Sequence, residues 1–357
     1  MKIFVLNPGS TSTKCALFEG NILLWEANIQ HKKSDLLKYK TIIEQKNLRK
    51  KTILAELKKH DTKVEQLDAV ISRGGLLASC ESGVYKVDQA MLYDLANAKY
   101  GEHASNLGAI LANEIAEPCG MPAFIMDPPV VDEMDEIAKI TGLPEVKRKS
   151  IFHVLNQKAV ARSVASSLGL KYEEINVIVA HMGGGISIGA HKKGRVVDVN
   201  NALEGDGPMT PERTGYLPAA SVISLIIDGK YTPEELLKTI TKRGGIYAHL
   251  GTTDIRQVFI RIEKGDEKAS LIIDAMAYQI TKAIGAMAAV LKGKIDAIIL
   301  TGGLAKNAAF SEKISEYVGF FGKVFIIDSL SEMSSLAAGA LRVLTGQKQL
   351  KTYKKSG

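Results

Sequence analysis

The sequence predicts an α/β protein made of two related halves. Three observations predict it. Residues 2 onward align without a gap on residues 176 onward: KIFVLNPGSTSTKCALFEGNILL faces NVIVAHMGGGISIGAHKKGRVVD, with Gly9 on Gly183, Gly20 on Gly194 and Asn7 on His181. LDAVISRGGL, from Leu67, and IDAIILTGGL, from Ile295, are identical at six of ten positions. Helical-looking segments, SNLGAILANEIAE and AAFSEKISEYV, follow in the same order. Each unit occurs twice only, which argues for duplication and against a solenoid.

The first unit of each half reads as strand, glycine-bearing turn, strand, tight turn, strand. The tight turns are Glu19-Gly20-Asn21 and Lys192-Lys193-Gly194, good hairpin chemistry. Four hydroxyl residues, Ser10 to Thr13, and Lys14 crowd the opening turn. They read equally well as a hydrophilic β-turn or as a polar lip whose N–H groups, hydroxyls and lysine hold phosphate oxygens. The second unit is a β-rich run ending in Gly-Gly, where a chain turns tightly or lets a ligand approach its backbone. The expected domains are residues 1–150 and 151–334, with a last helix at 335–357 folding back onto the first half. Two such halves imply a cleft between them, where strand ends meet a ligand.

The 357 residues are 46% hydrophobic and 24% charged, ordinary for a globular chain. The net charge of +7 resides in residues 32–63, which hold eleven Lys/Arg against four Asp/Glu. Leu36, Ile43, Ile53 and Leu57 recur there at roughly helical intervals, so the segment reads as one or two surface helices with a solvated lysine face. Tyr39 is the one Phe, Tyr or Trp among these lysines, short of the aromatic interleaving that nucleic-acid binding would ask. The most apolar stretch, AMAYQITKAIGAMAAVL, carries Gln279 and Lys282 and reads as a packed helix, not a membrane span. Met1 leads almost directly into a strand, without the pattern of a secretory signal. Cys15, Cys80 and Cys119 form neither a disulfide framework nor a zinc spacing. A cytoplasmic protein without nucleic-acid or membrane partners is expected.

Some motifs mislead. GGGISIG continues as an alternating strand, whereas a dinucleotide fingerprint must open a helix. GSTSTK lacks the second glycine and the Lys-Ser/Thr ending of a P-loop. His181 and His191 share a hairpin with no third metal ligand nearby. No Gly-x-Ser-x-Gly nucleophile turn occurs.

The duplicated units resemble those of the sugar-kinase, heat-shock and actin superfamily, and more narrowly the acetokinase family. The matching stretches are VLNPGSTSTK, ISRGGLL, FIMDPPVVDEM, SIFHVLNQKAVA, VAHMGGGISIGAH, GDGPMTPERTG, GTTDIRQV and LTGGLAKN, in the family's order along nearly the whole chain. The resemblance implies two actin-like (ribonuclease H-like) α/β domains around a central cleft. It implies reversible phosphoryl transfer between ATP and a short-chain carboxylate, giving ADP and an acyl phosphate. It further implies Mg2+ and a homodimer or larger homo-oligomer.

In-line transfer spreads negative charge over the moving group, so cations and aligned donors are needed. Arg73 ends a strand whose twin position holds Thr301, so the fold itself does not demand an arginine there. Arg213 lies in a Gly/Pro-rich loop too irregular for core. The resemblance sets both against the carboxylate and the transferring phosphate, which a guanidinium grips with two parallel bonds. By the same resemblance His153 donates to the transferring phosphoryl, and His181, Gly183 and Gly185 border the phosphate cleft. Asp127 and Glu332 become magnesium candidates; unaided they read as a turn residue and a helix N-terminal acid. Asn7, Ser10, Ser12 and Lys14 fall near the phosphates, and Asp254, Arg256, Gly302, Gly303 and Asn307 near the nucleotide.

One departure matters. Acetate-type members carry an asparagine where this chain has Gly184. Acetate-type members also place bulky aliphatic residues after the cleft arginine, where this chain has Gly74-Gly75. Those glycines are expected to leave space for a longer acyl chain, at roughly 0.8 kcal/mol per buried CH₂. An acceptor carboxylate, with a pKa of about 4.3 like Glu, needs no general base, unlike a sugar hydroxyl. Closure of the halves is expected to protect the acyl phosphate from water.

Overall fold

The computed structural model describes residues 1–327 and 331–354. The chain forms two compact units, one of residues 1–132 with the chain from Ser331 onward, the other starting at Glu133.

The first unit holds β1 (Lys2–Pro8), β2 (Ser12–Glu19), β3 (Ile22–Gln30), β4 (Ala69–Arg73), β5 (Val84–Lys86) and β6 (Ala123–Met126). They form one sheet in the order β3-β2-β1-β4-β6-β5. β1, β2 and β3 are an antiparallel meander, while β4 and β6 join in parallel. The second unit holds β7 (Asn176–Met182), β8 (Ile186–Lys192), β9 (Arg195–Val199), β10 (Ala297–Thr301) and β11 (Val324–Ile327), in the order β11-β10-β7-β8-β9. Its meander and its two parallel strands repeat the first unit's connectivity. Both meanders also carry a register shift near the same place, at Leu17/Phe18 and at Ala190/His191. The duplication read in the sequence is thus a duplication of topology.

The central strands read as continuous apolar runs because both faces are covered. On β7, Ile178 and Ala180 meet the long helix Glu267–Val290 through Met276, Ile280 and Ile284. The alternate residues Val177 and Val179 face Val160, Ala161 and Val164 of the helix Val154–Ser167. In the first unit Phe4, Leu6 and Val70 share a core with Leu107 and Leu111 of the helix Asn106–Ala116 and with Ile53 and Leu57 of the helix Lys46–Lys59. The helix Glu332–Leu344 packs on β1 and β4. Residues Glu133 to Ser150, which the sequence reading grouped with the first half, are bound into the second unit: Arg148 bonds Asp198 and the Val199 carbonyl, and Asp135 N–H bonds the Val197 carbonyl. No helix among the described residues is long and apolar enough to cross a membrane.

A buried polar line crosses the second unit. His191, completely buried, donates from Nε2 to Gln157 Oε1 and accepts at Nδ1 from the Tyr172 hydroxyl. Gly189 makes room for this, since a Cβ there would stand 2.6 Å from Gln157 Oε1. Burial, with Lys158 and Arg162 nearby, holds the His191 pKa well below its usual value. The native ring therefore stays neutral, whereas the unfolded chain takes up a proton below pH ~6.5. Stability contributed by His191 is complete above that pH and declines as pH falls through it. Urea midpoints should fall between about pH 7.5 and 5.5, and His191→Gln should flatten that decline.

Candidate active site

In the second unit, β7 delivers His181 to the edge of the Gly183–Gly185 turn, and β8 leaves it. His153 occupies the N-cap position of the helix Val154–Ser167, and its ring stacks on His181 with centroids 3.8 Å apart and an 11° angle between planes. Each ring is fixed from behind. His181 Nδ1 meets Asn156 Oδ1 at 2.7 Å, and His153 Nδ1 meets Ser187 Oγ at 2.8 Å. Gln157 Nε2 donates to Ser187 Oγ at 2.8 Å and to its carbonyl at 3.0 Å. With Gln157 donating to it, Ser187 Oγ can spend its own proton on His153 Nδ1; in that arrangement a neutral ring carries its proton on Nε2.

The irregular loop around Arg213 closes on the same turn. Thr210 Oγ1 accepts from the Arg213 N–H at 3.0 Å and shapes the loop. Arg213 Nη1 donates to the Gly184 carbonyl at 3.0 Å, and Nη2 pairs with Glu212 at 2.9 Å. Its Nε is buried with no hydrogen-bond partner. Burial lowers the arginine's pKa, against the opposing pull of Glu212. A Cβ on Gly185 would lie 2.8 Å from Arg213 Nη1 and 3.4 Å from His153 Cε1, so the missing side chain lets arginine and imidazole reach one spot.

Beside this cluster opens a cavity of about 840 Å³, within the range of small-molecule sites. Gly183, Asp254, Arg256, Gly303 and Asn307 all line it. Asp254 caps the helix Ile255–Glu263 and pairs with Arg256 at 3.1 Å, which lowers the Asp254 pKa. Asn307 caps the helix Ala308–Val318 through Phe310 N–H. Gly302, at φ +92°, lies against the Met182 carbonyl, and Gly303 has open space where a Cβ would be.

In the first unit, Asn7 Nδ2 donates to Glu332 Oε2 at 2.8 Å, tying β1 to the first turn of the helix Glu332–Leu344. Lys14, exposed on β2, lies opposite Asn7 in the ladder, and Ser10 and Ser12 flank the turn between them. Arg73 ends β4, and its Nε too is buried without a partner. Asp127 is 3% exposed and sits at φ +44°. Its Oδ1 accepts from Ser82 Oγ at 2.7 Å and from Gly83 N–H at 2.8 Å. A non-glycine residue held at positive φ just before a proline is a strain that the surrounding structure must hold in place.

The spacious reading of Gly74-Gly75 is corrected by the structure. A Cβ on Gly74 would meet Pro128 Cβ at 2.5 Å, and one on Gly75 would meet Asn106 Cα at 2.7 Å. These glycines admit neighbouring backbone, not a substrate chain. The sequence reading also passed over Asn156, Gln157, Ser187 and Glu212. A signal for the first two was present: they follow His153 by three and four residues, the spacing that shares a helix face.

Two copies of one meander-and-crossover topology, with a nucleotide-sized cavity at the strand ends of the second, define a duplicated actin-like α/β protein. Residues 144–348 match the model of the Acetokinase family. Butyrate kinase 2 of Clostridium acetobutylicum is 50% identical over 353 residues, 99% of each chain. The fold is similar to the crystal structure of Porphyromonas gingivalis acetate kinase, at TM-score 0.78 and 20% identity over 96% of this chain and 99% of that one. It is similar also to a propionate kinase from Francisella tularensis, at TM-score 0.76 and 19% identity over 95% and 98%. This chain belongs to the acetokinase family.

Gly185→Ala should push Arg213 and His153 apart. Turnover is expected to fall at least about tenfold, as for a misplaced reacting group, with the melting temperature nearly unchanged; steady-state kinetics and thermal melts check this.

Proposed function

We propose that this chain transfers a phosphoryl group reversibly between ATP and butanoate, giving ADP and butanoyl phosphate. One observation carries the reading. Among the described residues four buried side-chain polar atoms lack a partner, and two of them are Nε of Arg73 and Nε of Arg213. An unmade buried hydrogen bond costs about 1–3 kcal/mol. Guanidinium donors left unspent suit a ligand whose oxygens arrive with negative charge. The 50% identity to a protein named butyrate kinase supports the choice of acid.

In this reading the second unit holds the nucleotide. Gly183, Gly302, Gly303 and Asn307 offer backbone and amide to the phosphates, and Asp254 and Arg256 border the adenosine. Asn7, Ser10, Ser12, Lys14 and His181 serve the phosphates. His153 presents Nε2–H to the transferring group, with Ser187 and Gln157 keeping that tautomer. Arg73 and Arg213 neutralise the charge that builds on the phosphoryl oxygens. The acceptor is ionised at neutral pH, so no residue is assigned as its base.

Asp127 and Glu332 would hold magnesium. Each carboxylate is fixed through one oxygen, by Ser82 and Gly83 and by Asn7. No group of three or more His, Cys, Asp or Glu able to hold a metal occurs among the described residues. That suits an ion which keeps most of its waters and takes one or two carboxylates plus phosphate oxygens. When bound, magnesium supplies charge neutralisation at the phosphates.

Three free cysteines support a reducing, cytoplasmic setting. Self-association through the helix Ala219–Ile227 belongs to the same proposal. Its nine residues carry no charge and none is buried; Ile227 is 77% and Ile223 56% exposed. An apolar surface of that kind is best covered by a second copy about a twofold axis.

Hydroxylamine trapping of acyl phosphate, with ATP, magnesium and acids from acetate to valerate plus isobutyrate, tests the activity. Four-carbon acids should exceed acetate clearly; turnover of isobutyrate far above butanoate would make the enzyme a branched-acid kinase, and consumption of ATP only with polyols would reject the proposal. Arg73→Ala and Arg213→Ala should each cost at least about a hundredfold in turnover. In size-exclusion chromatography with light scattering, the native chain should run as a dimer or larger, and Ile223→Asp with Ile227→Asp should run as the 38.6 kDa monomer.

A further inference from the structure

Arg49, the single arginine of the lysine-rich segment, is its one buried cation. It shares a helix face with Ile53 and Leu57, and all three are buried, Arg49 completely. Its guanidinium lies under the turn between β1 and β2. Nη1 donates to the carbonyls of Gly9 at 2.8 Å and Ser12 at 3.1 Å, and to Thr13 Oγ1 at 3.1 Å. Nη2 donates to the Ser10 carbonyl at 3.1 Å and to Gln45 Oε1 at 2.9 Å; Nε also reaches Gln45 Oε1, at 3.2 Å. The one remaining carbonyl of the turn, Thr11, accepts from the His31 N–H at 2.9 Å.

Two consequences follow from these contacts. The carbonyls of Gly9, Ser10 and Ser12 are held toward Arg49. Because C=O and N–H point oppositely across a trans peptide, the N–H groups of Ser10 and Thr11 are turned the other way. And every acceptor of the guanidinium is neutral. Burial lowers its pKa only to about 10, so it stays charged at neutral pH, and no carboxylate contributes to that value. Thr13 Oγ1, which takes an Arg49 N–H, contacts His31 Nε2 at 2.9 Å, and burial and Arg49 keep His31 low in pKa, so its ring adds no anion either. A buried cation without a counter-ion is costly.

We propose that Arg49 is a positioning residue for phosphate binding: it orients the Gly9–Ser12 turn with its donors outward, and its unneutralised charge takes the ligand's phosphate, across the turn, as counter-ion. The inference rests on the proposed placing of phosphates at Ser10 and Ser12.

Gln45→Glu is the direct test, because it puts a carboxylate where Arg49 already has two bonds. A merely structural arginine gains an ion pair and loses nothing. The proposal expects a melting temperature equal to or above the native one, while the ratio of ADP to ATP dissociation constants, measured calorimetrically with magnesium, falls about tenfold. Arg49→Gln should lower the same ratio with a lower melting temperature, and Arg49→Lys should retain part of it. An unchanged ratio in folded Gln45→Glu overturns the inference. Ser12→Ala separates the two claims: if it leaves the ratio unchanged, the placing of phosphate at this turn fails; if it lowers the ratio while Gln45→Glu does not, only the role of Arg49 fails.

Discussion

A guanidinium buried with donors or charge left over is the constraint on which the rest of this structure depends. Arg213 spends Nη1 on a carbonyl and Nη2 on Glu212, yet Nε has nothing. Arg73, at the end of β4, likewise has a buried Nε without a partner. Arg49 satisfies its donors with neutral atoms and keeps its charge. In each case the resting protein carries an unfavourable term, which in the proposed function an anionic ligand removes. Such terms persist only when a rigid frame enforces them. The frame here is a pair of sheets whose central strands are packed on both faces.

Duplication supplies the frame without dictating the chemistry. Strand ends that correspond in the two units carry different groups: Asn7 against His181, and Arg73 against Thr301. Asn7 ties β1 to Glu332, while His181 stacks on His153. Thr301 is buried at 1% exposure, packed where its counterpart Arg73 leaves a donor unspent. The two glycine turns diverge as well. Gly9–Ser12 is drawn inward by an arginine beneath it, whereas the Gly183–Gly185 turn receives its arginine from a distant loop.

Much of this was legible in the amino-acid sequence. The six identities in ten between the Gly-Gly strands, and the gapless alignment of the meanders, foretold the repeated topology because strand pairing and turns are set locally. The residues gathered by helix caps and glycine turns, such as His153, Gly185 and Asn307, stood in recognisable stretches. What escaped were contacts of long sequence separation. Nothing local links Ser187 to His153, or Glu133–Ser150 to β9. Gly74-Gly75 were misread because a glycine looks the same whether it opens space for a ligand or admits another backbone. Arg49 was hidden by its composition, being one positive residue among eleven, although its spacing to Ile53 and Leu57 marked the inward face.

The central claim is that the arginines grip the phosphoryl group in flight more tightly than they grip the resting nucleotide. Its most direct test is the affinity of the magnesium–ADP–aluminium fluoride mimic, in the presence of butanoate, compared with that of magnesium–ADP alone. The account predicts that Arg73→Ala and Arg213→Ala each weaken the mimic about a hundredfold, as the loss of a transition-state donor does, and leave ADP within about threefold. Equal losses for both ligands, or none for the mimic, would contradict it.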